Sequence, residues 1–204
     1  MGRVMDSNNP RTGFFLVIEG IDGSGKTTQS KRLCERLNSE GLKTLYTCEP
    51  SKGPIGLFIK EEILEKGRFP PEVEALLFAA DRFEHLRAVV TPALNEGLIV
   101  VCDRYLYASL AYQGAQGVDL DWIRDVNSFA LRPDLAVYLD VPPEVALARK
   151  KGKRDSLEYL ELEGRVRSIY VELATKGELL LLDGRGSIED VGKRLYGEVK
   201  ALLR

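Results

Sequence analysis

Between the apolar run FFLVIE and a segment of helical period stands GIDGSGKT, Gly20 to Thr27. A glycine-rich loop joining a strand to a helix in this way is a phosphate-binding loop, and it commits the chain to an α/β arrangement in which strand and helix pack together. Gly20, Gly23 and Gly25 let the backbone N–H groups turn inward without Cβ clashes, and the helix that follows adds the positive end of its dipole. Lys26 places a point charge on the outer phosphates, and the Thr27 hydroxyl is a candidate magnesium ligand. Ile21, Asp22 and Ser24 complete the loop. The pattern says that phosphate is gripped; where the phosphate goes must be read elsewhere.

Beyond the loop, short apolar runs alternate with longer segments of helical period, the pattern of a parallel sheet covered by helices on both faces. The candidate strands are FFLVIE, LKTLYTCE, LIVVCD, LAVYLDV and LLLLD. Each is nearly continuous in Leu, Ile and Val, as expected of strands with no solvent side. Helices are expected over about 26–39, 71–96, 119–129, 143–150, 157–175 and 188–203. With no internal repeat or long linker, 13–204 reads as one domain after a polar, turn-rich tail at 1–12.

Composition excludes more than it assigns. The 204 residues are 44% hydrophobic and 29% charged, ordinary for a globular domain, and the net charge of -2 does not favour a nucleic-acid partner. No apolar run reaches the roughly 18 residues of a membrane span. Cys34, Cys48 and Cys102 are odd in number and lack C-x-x-C spacing, so neither disulfides nor zinc is expected and a reducing, cytoplasmic setting fits. The only histidine, His85, stands among charged residues and is expected on a solvated helix surface.

Three further segments carry candidate chemistry. CDRYLYASLAYQG begins where LIVV ends, at the carboxyl edge of a strand, where ligands of open α/β sheets collect. There Asp103 can orient magnesium-bound water near Thr27, and Arg104 can bridge donor and acceptor phosphates, the alternative being an ion pair that caps the next helix. In LLFAADRFEHLR, Phe78 and Arg82 share one helix face, an arrangement able to stack on a base and bond its edge or simply to serve as core residue and solvent-facing neighbour. ARKKGKRDSLE sets Arg149, Lys150, Lys151, Lys153 and Arg154 around Gly152, either a solvated basic loop or a lid that closes over a nucleotide.

The order GIDGSGKT, CEP, LLFAADR, DRYLYASLAYQG, PDLAVYLDV and a basic lid resembles the thymidylate kinase family from Phe14 onward. The resemblance implies transfer of the γ-phosphoryl of ATP to dTMP on a five-stranded parallel sheet, with magnesium and commonly as a homodimer. It implies that Asp22 helps to position acceptor phosphate and metal and that Asp103 and Arg104 are the family's Asp-Arg pair. Phe78 would stack on thymine and Arg82 bond the pyrimidine edge. Glu49, Tyr105, Ser109, Tyr112 and Gln113 would face the substrate, with the tyrosine ring of Tyr112 crowding out a 2′-hydroxyl. Cys48 stands where many members have an arginine, so that contact is missing here.

The family places an extra catalytic arginine either in the phosphate loop or in the lid. With Asp22, Gly23 and Ser24 in the loop and many cations in the lid, this chain resembles the lid-arginine kind, Arg154 being the first choice and Arg149 the second. A GTPase-like switch would need a guanine-reading N-K-x-D segment, which is absent. A non-catalytic phosphate binder would need neither acceptor pocket nor lid. A kinase for another nucleoside monophosphate, or for a deoxynucleoside, is the nearer alternative, since a few pocket contacts set that choice.

Overall fold

The computed structural model describes residues 12–67, 69–149 and 157–203. The expected tail, Thr12 excepted, therefore lies outside the described residues, as do Lys150, Lys151, Lys153 and Arg154 of the expected lid.

Five strands, β1 (Phe14–Glu19), β2 (Thr44–Cys48), β3 (Ile99–Asp103), β4 (Leu135–Asp140) and β5 (Leu180–Asp183), pair in parallel in the order β2-β3-β1-β4-β5. All five coincide with the expected apolar runs, trimmed at their ends. The alternation of side chains along β1 shows why those runs are continuous. Leu16 and Ile18 point to a layer formed by α1 (Lys26–Ser39) and α9 (Ile188–Leu202), where they meet Leu33, Leu37, Leu195 and Val199. Phe15 and Val17 point the other way, into a cluster with Leu86, Leu110, Val166 and Tyr170. Every side chain of Phe15 to Ile18 is fully buried, so no position on either face tolerates a polar residue without a bonded partner.

The helical layers differ from expectation in three places. The segment expected as a single helix over 71–96 is α3 (Pro71–His85), a π-helical turn (Leu86–Val90) and α4 (Thr91–Asn95). Pro92 lies in the first turn of α4; its ring and missing N–H cannot join an ordinary i to i−4 ladder, and the wider π turn before it absorbs the mismatch. Helices were not expected at α2 (Pro54–Phe58), its π continuation (Ile59–Glu65), or α5 (Leu106–Ala115). These are short, and their glycines and polar residues hide the helical period. The remaining helices are α6 (Leu120–Val126), with the Asp119 carboxylate accepting the Trp122 N–H as its cap, α7 (Pro143–Arg149) and α8 (Leu157–Thr175).

The connections that leave β1 and β3 run to opposite sides of the sheet, which opens a crevice at their carboxyl ends. Gly20–Thr27 and Asp103–Arg104 are the residues that line it. No helix among the described residues is long and apolar enough to cross a membrane.

Candidate active site

The loop after β1 takes the shape its glycines allow. Gly23 and Gly25 have φ of 87° and 94°, and a Cβ on Gly23 would lie 2.3 Å from the Ala146 carbonyl oxygen of α7. Gly25 caps α1 without any side-chain hydrogen bond, so the first-turn N–H groups face into the loop, where an anion satisfies them. A cavity of about 490 Å³ opens beside it, walled by Ser24, Thr28, Arg149 and, from the segment after β5, Gly184, Gly186 and Ser187. Arg149 bridges the two walls, donating to the Ser24 carbonyl and the Gly184 carbonyl at 3.2 Å each. The wall after β5 was not foreseen, although its sequence, DGRGS at the end of an apolar run, carries the signal of a loop at the ligand edge.

Lys26 is buried, with Nζ 3.5 Å from the Ile21 carbonyl and 3.8 Å from Asp22 Oδ1. Burial pulls its ammonium down to about 8 and nearby Arg104 adds to the effect, against the pull of Asp103, Asp22 and Glu19. The cationic form exists below that value and is lost above it. We therefore expect kcat/KM for ATP, which reports the free enzyme, to be level below about pH 8 and to fall about tenfold per pH unit above it. A profile still level at about pH 10 would show that Lys26 keeps its proton there.

Asp103 ends β3 with its carboxylate turned to the loop. Oδ2 accepts hydrogen bonds from the Thr27 hydroxyl and from the Tyr46 hydroxyl, the latter at 3.3 Å. Oδ1 is buried and has no hydrogen-bond partner among the described residues. Such an oxygen is costly unless something polar or cationic meets it, and with the Thr27 hydroxyl it fits a hydrated divalent cation better than a purely structural ion pair.

The next residue, Arg104, has φ of 72°, a left-handed conformation that costs a side chain of this kind roughly 1 kcal/mol. It carries the guanidinium back over the loop, where Nη2 meets the Asp22 carboxylate and lies 3.4 Å from the Tyr112 hydroxyl. The same hydroxyl accepts the Asp22 N–H at 3.2 Å and lies 3.3 Å from Glu163 on α8. Asp22, Arg104 and Tyr112 are thus one cluster, brought together from two separate stretches.

A second cluster lies between β2 and α3. The Glu49 carboxylate accepts from Arg82 Nε at 2.9 Å, and Arg82 also donates to Asn127 Oδ1 and, at 3.2 Å, to the Ser109 hydroxyl. Gln113 is buried on the same helix as Ser109, with its amide 3.4 Å from Glu74. Phe78 is half-buried and belongs to neither hydrophobic cluster, so its ring is not spent on the core.

Two expectations fail here. His85 is not on the surface: it is 2% exposed, with Nδ1 3.3 Å from Glu49 and Nε2 2.6 Å from the Thr47 hydroxyl. Both ring nitrogens are therefore bonded, which is what makes the buried place tenable. Flanking charges suggested solvent, but two of them, Asp81 and Arg82, are themselves buried, and His85 shares the Glu49 carboxylate with Arg82. Tyr105, expected on the substrate side, is 1% exposed in the core, its ring edge-on to Phe15 at 5.2 Å. The left-handed backbone at Arg104 sends the two neighbouring side chains in opposite directions. Asn127, which holds Arg82, carries no recognisable signal in the sequence.

A phosphate loop faced by an Asp-Arg pair from the neighbouring strand, with a polar cluster between β2 and α3 beside it, defines a P-loop kinase. The sequence profile of one family, thymidylate kinase, matches residues 18–195. A protein of Pyrococcus horikoshii named probable thymidylate kinase is 46% identical over 197 residues, which cover 92% of this chain and 96% of that protein. One of the same name from Pyrococcus abyssi is 45% identical over 197 residues, with the same coverage, and the thymidylate kinase of a Synechococcus strain is 43% identical over 197 residues, covering 93% of this chain and 95% of its own. The chain belongs to the thymidylate kinase family.

Proposed function

We propose that this thymidylate kinase moves the γ-phosphoryl group of ATP to dTMP in the crevice between the loop Gly20–Thr27 and the Asp103–Arg104 turn. A phosphate oxygen of dTMP attacks the γ-phosphorus, the bond to the β–γ bridging oxygen breaks, and ADP departs with that electron pair, leaving dTDP. The observation that carries this reading is the Asp22–Arg104 contact: a guanidinium from the neighbouring strand already lies over the phosphate loop, between the donor side and the acceptor side.

In this reading the loop N–H groups and Lys26 hold the β- and γ-phosphates, and Arg149 walls the adenosine end with the segment after β5. Arg104 offsets the charge that accumulates between donor and acceptor, and Asp22 orients it. Thr27, with Asp103 acting through water, would hold magnesium, which supplies charge neutralisation on the β- and γ-phosphates when bound. Phe78 stacks on the thymine, while the Glu49–Arg82 pair, with Ser109 and Gln113, presents fixed polar groups to its edge. Tyr112 borders the deoxyribose.

The residues 149–157 act as the lid and 13–204 as a single kinase domain. The clash that any side chain at Gly23 would make with Ala146 supports a catalytic arginine supplied by the lid, Arg154, because that loop position has no room for one. For assembly, α3 leaves Val73, Leu76 and Phe83 exposed along one stripe, next to exposed Leu57, Phe58 and Leu64; this face suits a homodimer contact. A single-chain mass in equilibrium sedimentation at micromolar protein would remove it. The three free cysteines fit a reducing, cytoplasmic setting.

The test of substrate is direct: purified protein with ATP and magnesium against a panel of nucleoside monophosphates, following ADP release. dTMP is expected to give the highest kcat/KM. Fast turnover of dUMP or CMP without turnover of dTMP would overturn the reading.

A further inference from the structure

Immediately before the phosphate loop, as the last residue of β1, stands a carboxylate with no part in the reaction described so far. Glu19 is fully buried, in a setting where a charged or polar group is costly unless bonded. Both of its oxygens are engaged: Oε1 accepts the Tyr105 backbone N–H at 2.8 Å, and Oε2 accepts the Tyr170 hydroxyl of α8 at 2.8 Å.

The Tyr105 N–H belongs to the peptide unit that follows Arg104. The peptide unit that precedes Arg104 is held too, because the Arg104 N–H donates to the Ile18 carbonyl at 3.0 Å. Two consecutive residues of β1 therefore pin the two peptide units on either side of the one described non-glycine residue with positive φ. Rotation of Arg104 back to an ordinary backbone conformation would turn the Tyr105 N–H away from Glu19 and leave it buried without an acceptor. Left-handed backbone at a non-glycine residue persists only where the surroundings over-determine it, and here the Glu19 side chain, with the Cys102 thiol that donates to the Arg104 carbonyl at 3.1 Å, supplies what the backbone itself does not.

We propose that Glu19 is a positioning residue for phosphoryl transfer: by accepting the Tyr105 N–H it holds Arg104 in the left-handed conformation from which its guanidinium reaches the phosphate site, and through Tyr170 it fastens that turn to α8. The inference rests on the role given to Arg104 above. Burial lifts the Glu19 carboxyl to about 7, with Arg104 and the two hydrogen bonds pulling against it. Oε1 remains an acceptor in either protonation state, so a glutamine, with one acceptor oxygen and one donor nitrogen, can serve in its place.

The experiment is steady-state kinetics on the full chain with ATP, magnesium and dTMP, beside melting curves for each variant. Glu19→Met keeps the volume but offers no acceptor, and is expected to lower kcat about 50-fold with the KM for ATP within about twofold. Glu19→Gln is expected to stay within about threefold of wild type. In an Arg104→Ala background, Glu19→Met is expected to cost less than about threefold further, since residues that act as a unit are not additive. A folded Glu19→Met enzyme at wild-type kcat, losses that multiply in the double variant, or a Glu19→Gln enzyme as impaired as Glu19→Met would each overturn the proposal. Should Glu19→Met not fold, Tyr170→Phe replaces it: a kcat about fivefold lower that does not add to Arg104→Ala supports the proposal, and an unchanged or additive rate overturns it. Wild-type kcat in Arg104→Ala alone overturns the role of Arg104, and this inference with it; the other outcomes strike the inference and leave that role standing.

Discussion

Arg154→Ala is expected to lower kcat by about 10³-fold or more and to leave the KM for ATP within severalfold of wild type, the pattern of a guanidinium that meets its phosphate only during transfer. The fixed parts of the site leave the lid as the source of a further arginine. The phosphate loop has no arginine, and Gly23 cannot be replaced by one. Its φ of 87° disfavours any side chain, and a Cβ would stand 2.3 Å from a backbone oxygen of α7. Arg149 is already held by two carbonyls at the donor wall. The lid residue Arg154 lies outside the described residues, so its role is assigned from the sequence and from the lack of room at Gly23. The double variant Gly23→Arg with Arg154→Ala sharpens the point: it is expected to recover none of the lost rate and to melt below either parent. Single-turnover and steady-state rates decide the matter, and a normal kcat in Arg154→Ala would remove this residue from the mechanism.

Removal of Arg104 is expected to produce two effects of opposite direction. Arg104→Gly lowers kcat by about 10³-fold, the scale of losing a charged group aimed at developing phosphate charge. At the same time the melting temperature does not fall, because glycine adopts φ of 72° without strain and the variant separates Lys26 from a neighbouring cation. Arg104→Lys is expected to stay at least about 10²-fold down, since an ammonium lacks the planar fork that contacts two phosphates together. If Arg104→Gly melts well below wild type and keeps its rate, the arginine is a structural ion-pair partner of Asp22 and not part of the transfer.

These expectations draw on both kinds of information. The five strands could be read from the sequence because a parallel sheet covered on both faces demands apolar side chains in both directions, as Leu16 and Ile18 on one side and Phe15 and Val17 on the other demonstrate. Legibility was poorer wherever a residue's fate depends on a distant partner. His85 reads as surface by its neighbours in the chain, yet Thr47 and Glu49, more than thirty positions away, give it a bonded place inside. Tyr105 sits within a motif expected to face substrate, but its ring lies in the core, one residue after a left-handed backbone. Glu19, Asn127 and Glu163 belong to no motif; only their buried bonds reveal what they hold.

By itself, then, the sequence determined what depends on local pattern: the phosphate loop, the strands, most of the helices and the family to which their order belongs. Spacing along the chain is enough for these because glycine freedom, apolar period and strand-to-helix succession act over a few residues. The tertiary structure alone decided which polar groups meet. It set Arg104 on Asp22, left one buried oxygen of Asp103 without a partner among the described residues, denied Gly23 a side chain and placed Glu19 beneath the turn it holds. Those outcomes follow from desolvation, which makes each buried polar atom find a partner in space with no regard for distance in sequence.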